Sequence, residues 1–303
     1  MIYGLFSALG FGVADLCGAI STRRVGVPTT LVVIQAVNLV LLSVLMLTPL
    51  PGPLHASAGA WAAILASGAL GTVSFFSFYR ALQLGPIAIV SPVFASYAAV
   101  AVVLSVVILG EHLSVVGATG IATTLTGVAL ASARTGGEER RDEPTEGPTA
   151  EIRGGNATGP AGGWGGVPFA LVAMLAWGVA SFIIGRYSQE TGWFLPVYGS
   201  RLVEFAGVGV VFLLLRRRGP MPRPAGVSAV IPTVSGAADA VAVSLFARGS
   251  QVGLVSIMSA VSATFPLVVI AGGVVMFHER PTLVQWVGVL CTITGLVLLG
   301  LGR

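Results

Sequence analysis

The chain has 303 residues, of which 55% are hydrophobic and 9% are charged, and its formal net charge is +4. Soluble domains carry about 25% charged residues, so this composition excludes an ordinary soluble protein and indicates a chain that lies in a lipid bilayer. All 16 basic residues are arginine, and because arginine stays protonated inside proteins, each one must reach water or pair with an acid. No basic cluster alternates with aromatic residues, so the positive charge does not indicate nucleic-acid binding.

Long apolar stretches follow one another from the first residues onward. A helix needs about 20 apolar residues to cross the hydrocarbon core of a bilayer. The first stretch begins at Ile2 without a preceding basic region, so we interpret it as a retained span rather than a signal peptide. We predict an all-α polytopic membrane protein with ten transmembrane helices, near residues 2–21, 29–48, 58–79, 87–109, 114–133, 166–185, 194–215, 225–247, 253–277 and 283–301.

The composition changes between the fifth and the sixth predicted spans. Residues 134–165 contain Gly-Gly pairs, prolines and the run Glu-Glu-Arg-Arg-Asp-Glu-Pro, which is typical of a flexible polar linker. The linker divides the chain into a first five-helix repeat, 1–133, and a second five-helix repeat, 166–303. Because five is an odd number, the second block enters the membrane from the opposite side, which predicts two inverted repeats.

The pattern of the first block recurs in the second block. Moving residues 68–130 forward by 168 positions superimposes glycines, polar residues and one glutamate. Duplicated blocks of membrane helices are typical of secondary transporters. The matched pairs are Phe78 with Phe246, Arg80 with Arg248, Gln83 with Gln251, Gly85 with Gly253, Ser91 with Ser259, Glu111 with Glu279, Gly120 with Gly288, Thr124 with Thr292 and Gly127 with Gly295.

Arginines are distributed unevenly between the two ends of the predicted spans. If the linker is cytoplasmic, twelve arginines lie on the cytoplasmic side, and Arg186, Arg248 and Arg303 lie opposite. The positive-inside rule then places both termini outside the cytoplasm. The twelve are Arg23, Arg24, Arg80, Arg134, Arg140, Arg141, Arg153, Arg216, Arg217, Arg218, Arg223 and Arg280.

A series of short motifs runs through both blocks. The first block contains Tyr79-Arg80-Ala81-Leu82-Gln83-Leu84-Gly85-Pro86, then Ser91-Pro92 and Gly110-Glu111. The second contains Ala176-Trp177-Gly178, Pro266 thirteen residues before Glu279, and Gly288 with Gly295. Together these motifs resemble those of the drug/metabolite transporter superfamily, in its EamA-type branch. The resemblance covers both halves and implies ten helices and the transport, usually the export, of small metabolites. For many members it also implies cytoplasmic termini, which is opposite to the arginine count.

The first block departs from this pattern at three places. Ala98 stands where the second block has Pro266, and Phe11-Gly12 stands where Trp-Gly is usual. Under a shift of 166 positions, Gln35 occupies the place of Arg201, at which members of the family often carry an arginine. The two blocks have therefore diverged in their polar residues.

Four ionisable side chains fall inside predicted spans: Asp15, Arg201, Glu204 and Asp239. Each costs about 2.5 to 3.5 kcal/mol at the centre of a membrane helix, so each must face a cavity or a partner. Structural pairing and a polar path at the midplane between the repeats both satisfy this requirement. Burial favours the protonated form of a carboxyl group, so the three acids could also carry a proton.

The spacing of these charges separates them into two groups. Arg201 and Glu204 are three residues apart, so a helix places them on one face within reach of each other. Alternatively, Arg201 is suited to hold a carboxylate or phosphate of the substrate. Asp15 and Asp239 have no opposite charge one turn away in their own helices, so we expect both to face a shared aqueous path.

Uncharged polar and aromatic residues complete the predicted pathway. Amides and hydroxyls in membrane helices more often bind a neighbouring helix than a ligand, but polar residues recur in the fourth and ninth spans and favour a central path. Glu111 and Glu279, which end those spans, are predicted to be solvated, and the alternative is a gate in which they pair with Arg280 or His112. The predicted substrate or proton pathway comprises Asp15, Gln35, Asn38, Tyr97, Trp177, Arg201, Glu204 and Asp239.

The sequence contains no nucleotide-binding loop and no cluster of metal ligands, so we expect no cofactor and no metal. We predict a secondary transporter that exports a small polar or amphipathic metabolite across the bacterial cytoplasmic membrane by alternating access, with proton coupling as an option. Its expected partners are that small molecule, the lipid bilayer and, as an option, a second copy of the chain. The alternatives are an integral-membrane enzyme and a non-transporting scaffold. The enzyme is disfavoured because the three histidines, His55, His112 and His278, lie in loops or at span ends.

Overall fold

The computed structural model describes residues 1–49, 55–84, 87–131, 165–217, 226–277 and 282–301. The linker, apart from its last residue, lies outside these ranges, as do Glu279, Arg280 and His278. Within the ranges, every regular element is an α-helix. The helices are α1 Ile2–Val25, α2 Val27–Met46, α3 Ala58–Leu84, α4 Ile87–Ala95, α5 Tyr97–Leu109, α6 Val115–Ala131, α7 Val167–Thr191, α8 Phe194–Arg216, α9 Val227–Val252, α10 Val255–Ser262, α11 Pro266–Phe277 and α12 Leu283–Leu301.

Six of the described helices are long and apolar enough to cross a membrane: α1, α2, α3, α7, α8 and α9. Shorter apolar segments cover Val93–Leu109, Val115–Ala131, Val255–Ala271 and Leu283–Leu299. Large apolar side chains also cover the outside of the bundle. Val107 is 76% exposed and Leu290 is 62% exposed. In water such a surface would be costly, whereas lipid tails solvate it, and the chain is therefore a multi-pass membrane protein.

The predicted spans 87–109 and 253–277 are not continuous helices. The first is interrupted at Ser96, between α4 and α5, and the second at residues 263–265, between α10 and α11. At the interruptions the backbone turns more tightly: Ser96 N donates to Val93 O at 3.3 Å and Phe265 N donates to Ser262 O at 3.3 Å. Pro266 has no N–H to continue the helix, but the first block is interrupted at the equivalent place without a proline.

Three helices continue five or six residues past their predicted ends. We predicted ends near residues 79, 185 and 247, whereas α3, α7 and α9 end at Leu84, Thr191 and Val252. The hydropathy pattern marks where a helix leaves the apolar core, but backbone hydrogen bonds continue beyond that point. In the extensions, Arg80 Nη1 donates to Gln83 Oε1 at 3.1 Å and the equivalent Arg248 Nη1 donates to Gln251 Oε1 at 2.6 Å.

The two blocks pack through reciprocal contacts. A Cβ atom on Gly68 of α3 would lie 2.6 Å from Ser200 O of α8, and one on Gly236 of α9 would lie 2.7 Å from Ile34 O of α2. Gly236 is the equivalent of Gly68 under the shift of 168, and Ser200 is the equivalent of Ile34 under the shift of 166. Thus α3 crosses α8 as α9 crosses α2, and each crossing needs a glycine because the backbones touch.

The first helix of each block packs against the other block. Helix α1 lies along α9, helix α7 lies along α3, and the last helices, α6 and α12, lie against each other. A Cβ on Gly178 of α7 would lie 3.0 Å from Tyr97 O, and one on Gly12 of α1 would lie 2.9 Å from Phe265 O. Each glycine therefore allows the first helix of its own block to pack closely against the interrupted span of the other block. The two blocks are interlocked in this way.

Candidate functional site

Three charged side chains meet in the interior between α8 and α9. Helix α8 places Arg201 and Glu204 one turn apart on the same face, and Arg201 Nη1 contacts Glu204 Oε2, as their spacing predicts. Arg201 Nη2 lies 3.0 Å from Asp239 Oδ2 on α9. Arg201 and Glu204 are 0% exposed and Asp239 is 5% exposed, so the guanidinium bridges two buried carboxylates. We call this set the charged cluster.

Two amides from α2 complete the hydrogen bonds of the charged cluster. Gln35 Nε2 donates to Glu204 Oε2 at 3.1 Å, and Asn38 Nδ2 donates to Asp239 Oδ2 at 2.6 Å. Under the shift of 166, Gln35 and Asn38 are the equivalents of Arg201 and Glu204. The first block therefore supplies neutral donors at the positions where the second block supplies charges.

Aromatic rings cover the guanidinium of the charged cluster. The Arg201 Cζ atom lies 5.3 Å from the centroid of the Phe75 ring and 5.9 Å from that of Trp177. Both distances allow cation–π attraction. Tyr97 and Phe11 each meet Trp177 edge to face, with centroids 6.4 Å apart. Tyr97 thus packs against Trp177, and Trp177 in turn lies against the guanidinium of Arg201.

Sequence reasoning missed Phe75. The shift of 168 pairs it with Val243, so Phe75 was not among the residues that recur in both blocks. The available signal was its helical spacing: Phe75 and Tyr79 are four residues apart in α3, and their rings stack with centroids 6.5 Å apart.

A missing side chain makes room for Glu204. A Cβ atom on Gly71 of α3 would overlap Glu204 Oε1. Gly71 is the equivalent of Asp239 under the shift of 168. At this position the second block has the carboxylate of Asp239. The first block has a glycine, and the Glu204 carboxylate of α8 fills the space that a side chain would occupy.

Asp15 lies beside the charged cluster but outside its hydrogen bonds. It lines a small cavity with six other residues, and it is close enough to Asp239 for the two carboxylates to interact electrostatically. Among the residues that the structure describes, Asp15 has neither an ion-pair partner nor a hydrogen bond. The cavity is lined by Asp15, Leu16, Ala19, Phe78, Leu82, Ser91 and Val269.

Asp239 has an ion-pair partner on another helix. It has no opposite charge in its own helix, but Arg201 of the neighbouring α8 pairs with it. Spacing along one helix cannot reveal a partner on another. That Asp15 and Asp239 line a shared aqueous path stays a prediction, as does a role of the eight predicted residues in substrate or proton passage.

The charged cluster has more acceptors than donors. It holds one guanidinium and two carboxylates, so it carries one excess negative charge when all three groups are ionised. Three buried acceptor atoms of the charged cluster and its two amide partners have no hydrogen-bond partner in the described part of the chain: Glu204 Oε1, Gln35 Oε1 and Asn38 Oδ1. On the donor side Arg201 Nε lacks a partner, and Nη2 has only its ion pair with Asp239. Such a site can accept a proton or a cation more readily than an anion.

Glu111 is not a simple solvated helix end. Its Oε1 accepts a hydrogen bond from Val255 N at 2.8 Å and its Oε2 accepts one from Ser256 N at 3.1 Å. These are the first two N–H groups of α10, which no intrahelical carbonyl can satisfy. The carboxylate also complements the helix dipole. Glu111 therefore connects the end of α5 to the start of α10 in the opposite block.

Within the described ranges, no group of three His, Cys, Asp or Glu residues could hold a metal ion. The charged side chains instead form an ion-pair network with amide donors. Such a network can bind and release a charged group.

The interlocked helix blocks and the buried charges at their junction define a multi-pass membrane protein built from two related repeats. Residues 1–133 and 164–301 both match the EamA-like transporter family. The chain belongs to this family, and it is therefore a membrane transporter of the drug/metabolite transporter type. Among curated proteins, none matches the chain with significance. A solved protein crystal structure has the same fold, with a TM-score of 0.75 at 18% sequence identity, and the match covers 100% of this chain and 97% of that one.

Proposed function

We propose that the chain is a ten-span, proton-coupled secondary transporter that exports a small polar or amphipathic metabolite across the bacterial cytoplasmic membrane by alternating access. The observation that carries the proposal is the charged cluster of Arg201, Glu204 and Asp239, buried where the two repeats meet. Buried charges in membrane helices are costly and typically mark pathways for substrates or ions.

Ten spans account for all the apolar segments of the two repeats. Six helices reach the membrane length alone, and α6 and α12 are the equivalent last helices of the repeats. At about 1.5 Å per residue, α4 with α5, and α10 with α11, are each long enough together to cross the hydrocarbon core. Interrupted spans at a binding site between repeats are typical of secondary transporters.

Alternating access is supported by the reciprocal packing. Because α3 crosses α8 as α9 crosses α2, the contacts of one block have counterparts in the other. Two such arrangements can exchange when one block rocks against the other, so that the site opens to one side at a time.

Proton coupling is supported by the charge of the cluster. Two carboxylates and one guanidinium leave one excess negative charge in the interior of the protein. A proton would neutralise this charge at little steric cost. The cluster can therefore alternate between a protonated and a deprotonated form during transport.

The test is a comparison of exported metabolites. Cells that express the wild-type protein are compared with cells that express Asp239→Asn, and the growth medium is analysed without preselecting a compound. We expect at least one small metabolite to accumulate outside the wild-type cells and not outside the variant cells. The matched control is Glu190→Gln, which removes an acid from the exposed Arg186–Glu190 pair and should export normally. Identical media from all strains, at equal expression in the membrane, would contradict the proposal.

A further inference from the structure

We infer that the exported molecule carries one positive charge, on a protonated amino group, and that it exchanges with one proton at the charged cluster of Arg201, Glu204 and Asp239. This inference rests on the proposed function and names the class of substrate that the same site would take.

The first argument is the balance of charge. Arg201 contributes one positive charge, and Glu204 and Asp239 contribute two negative charges, all in the interior of the protein. One bound monocation or one bound proton brings the total of these three groups to zero. A neutral substrate would leave the excess charge in place, and an anionic substrate would add to it, which burial makes costly.

The second argument is the surplus of acceptors. Glu204 Oε1, Gln35 Oε1 and Asn38 Oδ1 are buried oxygens without hydrogen-bond partners in the described ranges. The orientation of both amides follows from chemistry, because each must turn its nitrogen toward a carboxylate oxygen. A protonated amine has three N–H donors and no acceptor, so it fits a site whose unsatisfied atoms are mainly oxygens.

The third argument is the state of Arg201. Its Nη1 contacts Glu204 and its Nη2 lies 3.0 Å from Asp239, so two of its three nitrogens face carboxylates, and only Nε faces none. A substrate carboxylate or phosphate that took up Nη1 or Nη2 would displace one of these carboxylates. It would leave that carboxylate buried without its counter-charge, at a cost of several kcal/mol.

The walls of the site also suit a cation. The faces of Phe75 and Trp177 already lie over a positive charge, that of Arg201. Next to the charged cluster, Asp15 opens onto the small cavity that Phe78 also lines, and the Phe78 and Phe94 rings are 4.2 Å apart. Carboxylates combined with aromatic faces are a recurrent recognition surface for ammonium groups.

The exchange is balanced in charge and atoms. When the amine enters, a carboxyl O–H bond of the cluster breaks, the proton leaves to water, and the ammonium group replaces its charge. Beside Arg201, Glu204 and Asp239, the titratable groups that act on the site are Asp15 of α1 and Tyr79 of α3, and Cys17 of α1 acts on Tyr79. Helices α2 and α7 face the cluster with Gln35, Asn38 and Trp177, which do not titrate.

The experiment is calorimetric titration of the purified full-length protein. The probes are primary monoamines, each compared with the carboxylic acid and the alcohol of the same skeleton; phenethylamine, 3-phenylpropanoate and 2-phenylethanol form the first set. Each titration is repeated in two buffers of different ionisation enthalpy, which counts the protons released. We expect amines to bind with release of about one proton, and their affinity to fall about tenfold per pH unit on acidification while the proton competes.

Two variants sharpen the test. Asp239→Asn and Glu204→Gln each remove one negative charge, so either should abolish the proton release and weaken amine binding. Glu190→Gln, at the exposed pair, should behave like the wild-type protein. The pH series on the wild-type protein needs no variant, so it stands even if one of them does not fold.

Three results would overturn the inference: tighter binding of the acids than of the amines, amine binding without proton release, and no binding of any amine in the panel. The failure of the proposed function looks different. If the export comparison finds a neutral or anionic metabolite, the protein is a transporter and the inference about its substrate is wrong. If no metabolite is exported, the proposed function itself is wrong.

Discussion

Gln35 and Arg201 are equivalent positions of the two repeats, and both side chains bind the same atom, Glu204 Oε2. One residue is neutral and the other is charged, so the reciprocal packing of the two blocks does not extend to the charges. The site is therefore built from two similar frameworks with different chemistry. This asymmetry underlies the predictions that follow.

Arg201→Gln should destabilise the protein strongly. It leaves Glu204 and Asp239 buried without a cation, which costs about 3–5 kcal/mol when one partner of a buried pair is removed. The Arg201→Gln, Glu204→Gln double variant returns the cluster to one negative charge and should recover much of the lost stability, measured by thermal unfolding in detergent. We expect it not to recover transport, because the guanidinium that orients Asp239 is absent. Full transport by the double variant would show that the pair is only structural.

Gly71→Ala should also destabilise the protein, because the new methyl group would overlap Glu204 Oε1. Overpacking of this kind costs about 1–3 kcal/mol. The matched control is Gly209→Ala on α8, since a Cβ there has nothing within 4 Å. That change should be neutral or stabilise the helix by about 0.5–1 kcal/mol. Equal unfolding temperatures for the two variants would refute the close contact.

Asp15→Asn and Asp239→Asn should differ in their effect on folding. Asp239 binds Arg201 and Asn38, so its neutralisation should lower both stability and transport. Asp15 makes no ion pair within the described residues, so Asn at this position should leave the unfolding temperature nearly unchanged and reduce transport. Normal export by both variants across the pH range in which the wild-type protein works would rule out a coupling role for these acids.

Glu111→Gln should weaken the start of α10. A neutral amide can accept only one of the two backbone hydrogen bonds, and it loses the attraction of the carboxylate to the helix dipole. We expect a loss of about 0.5–2 kcal/mol and faster hydrogen exchange at the Val255 and Ser256 amides. His112→Gln, at the exposed neighbouring residue, serves as the control. Unchanged exchange at both amides would contradict the assigned contact.

The arginine count predicts that both termini lie outside the cytoplasm and that the linker lies inside. Single cysteines are introduced near residue 1, in the linker and near residue 303, after Cys17 and Cys291 are replaced by alanine. A membrane-impermeant thiol reagent added to intact cells should label the terminal cysteines and spare the linker cysteine. Labelling of the linker with protected termini would establish the opposite orientation.

Properties that depend on short stretches of the chain could be predicted from the sequence. The helical segments follow from the length of the apolar runs, the two blocks follow from the shift of 168, and the Arg201–Glu204 contact follows from a three-residue spacing. Each of these depends on residues whose relative positions the helix itself determines.

Contacts between helices were decided only by the tertiary structure. Asp239 meets Arg201 and Asn38, and Glu204 fits against Gly71, because α2, α3, α8 and α9 pack against one another. The partners are distant in the sequence, and neither periodicity nor composition determines where two apolar helices cross. Glu111 shows the same limit: its helix end looks solvated in isolation, yet packing brings the unpaired N–H groups of α10 within its reach. The sequence thus specified which charges must be satisfied, whereas the packing of the helices determined which groups satisfy them.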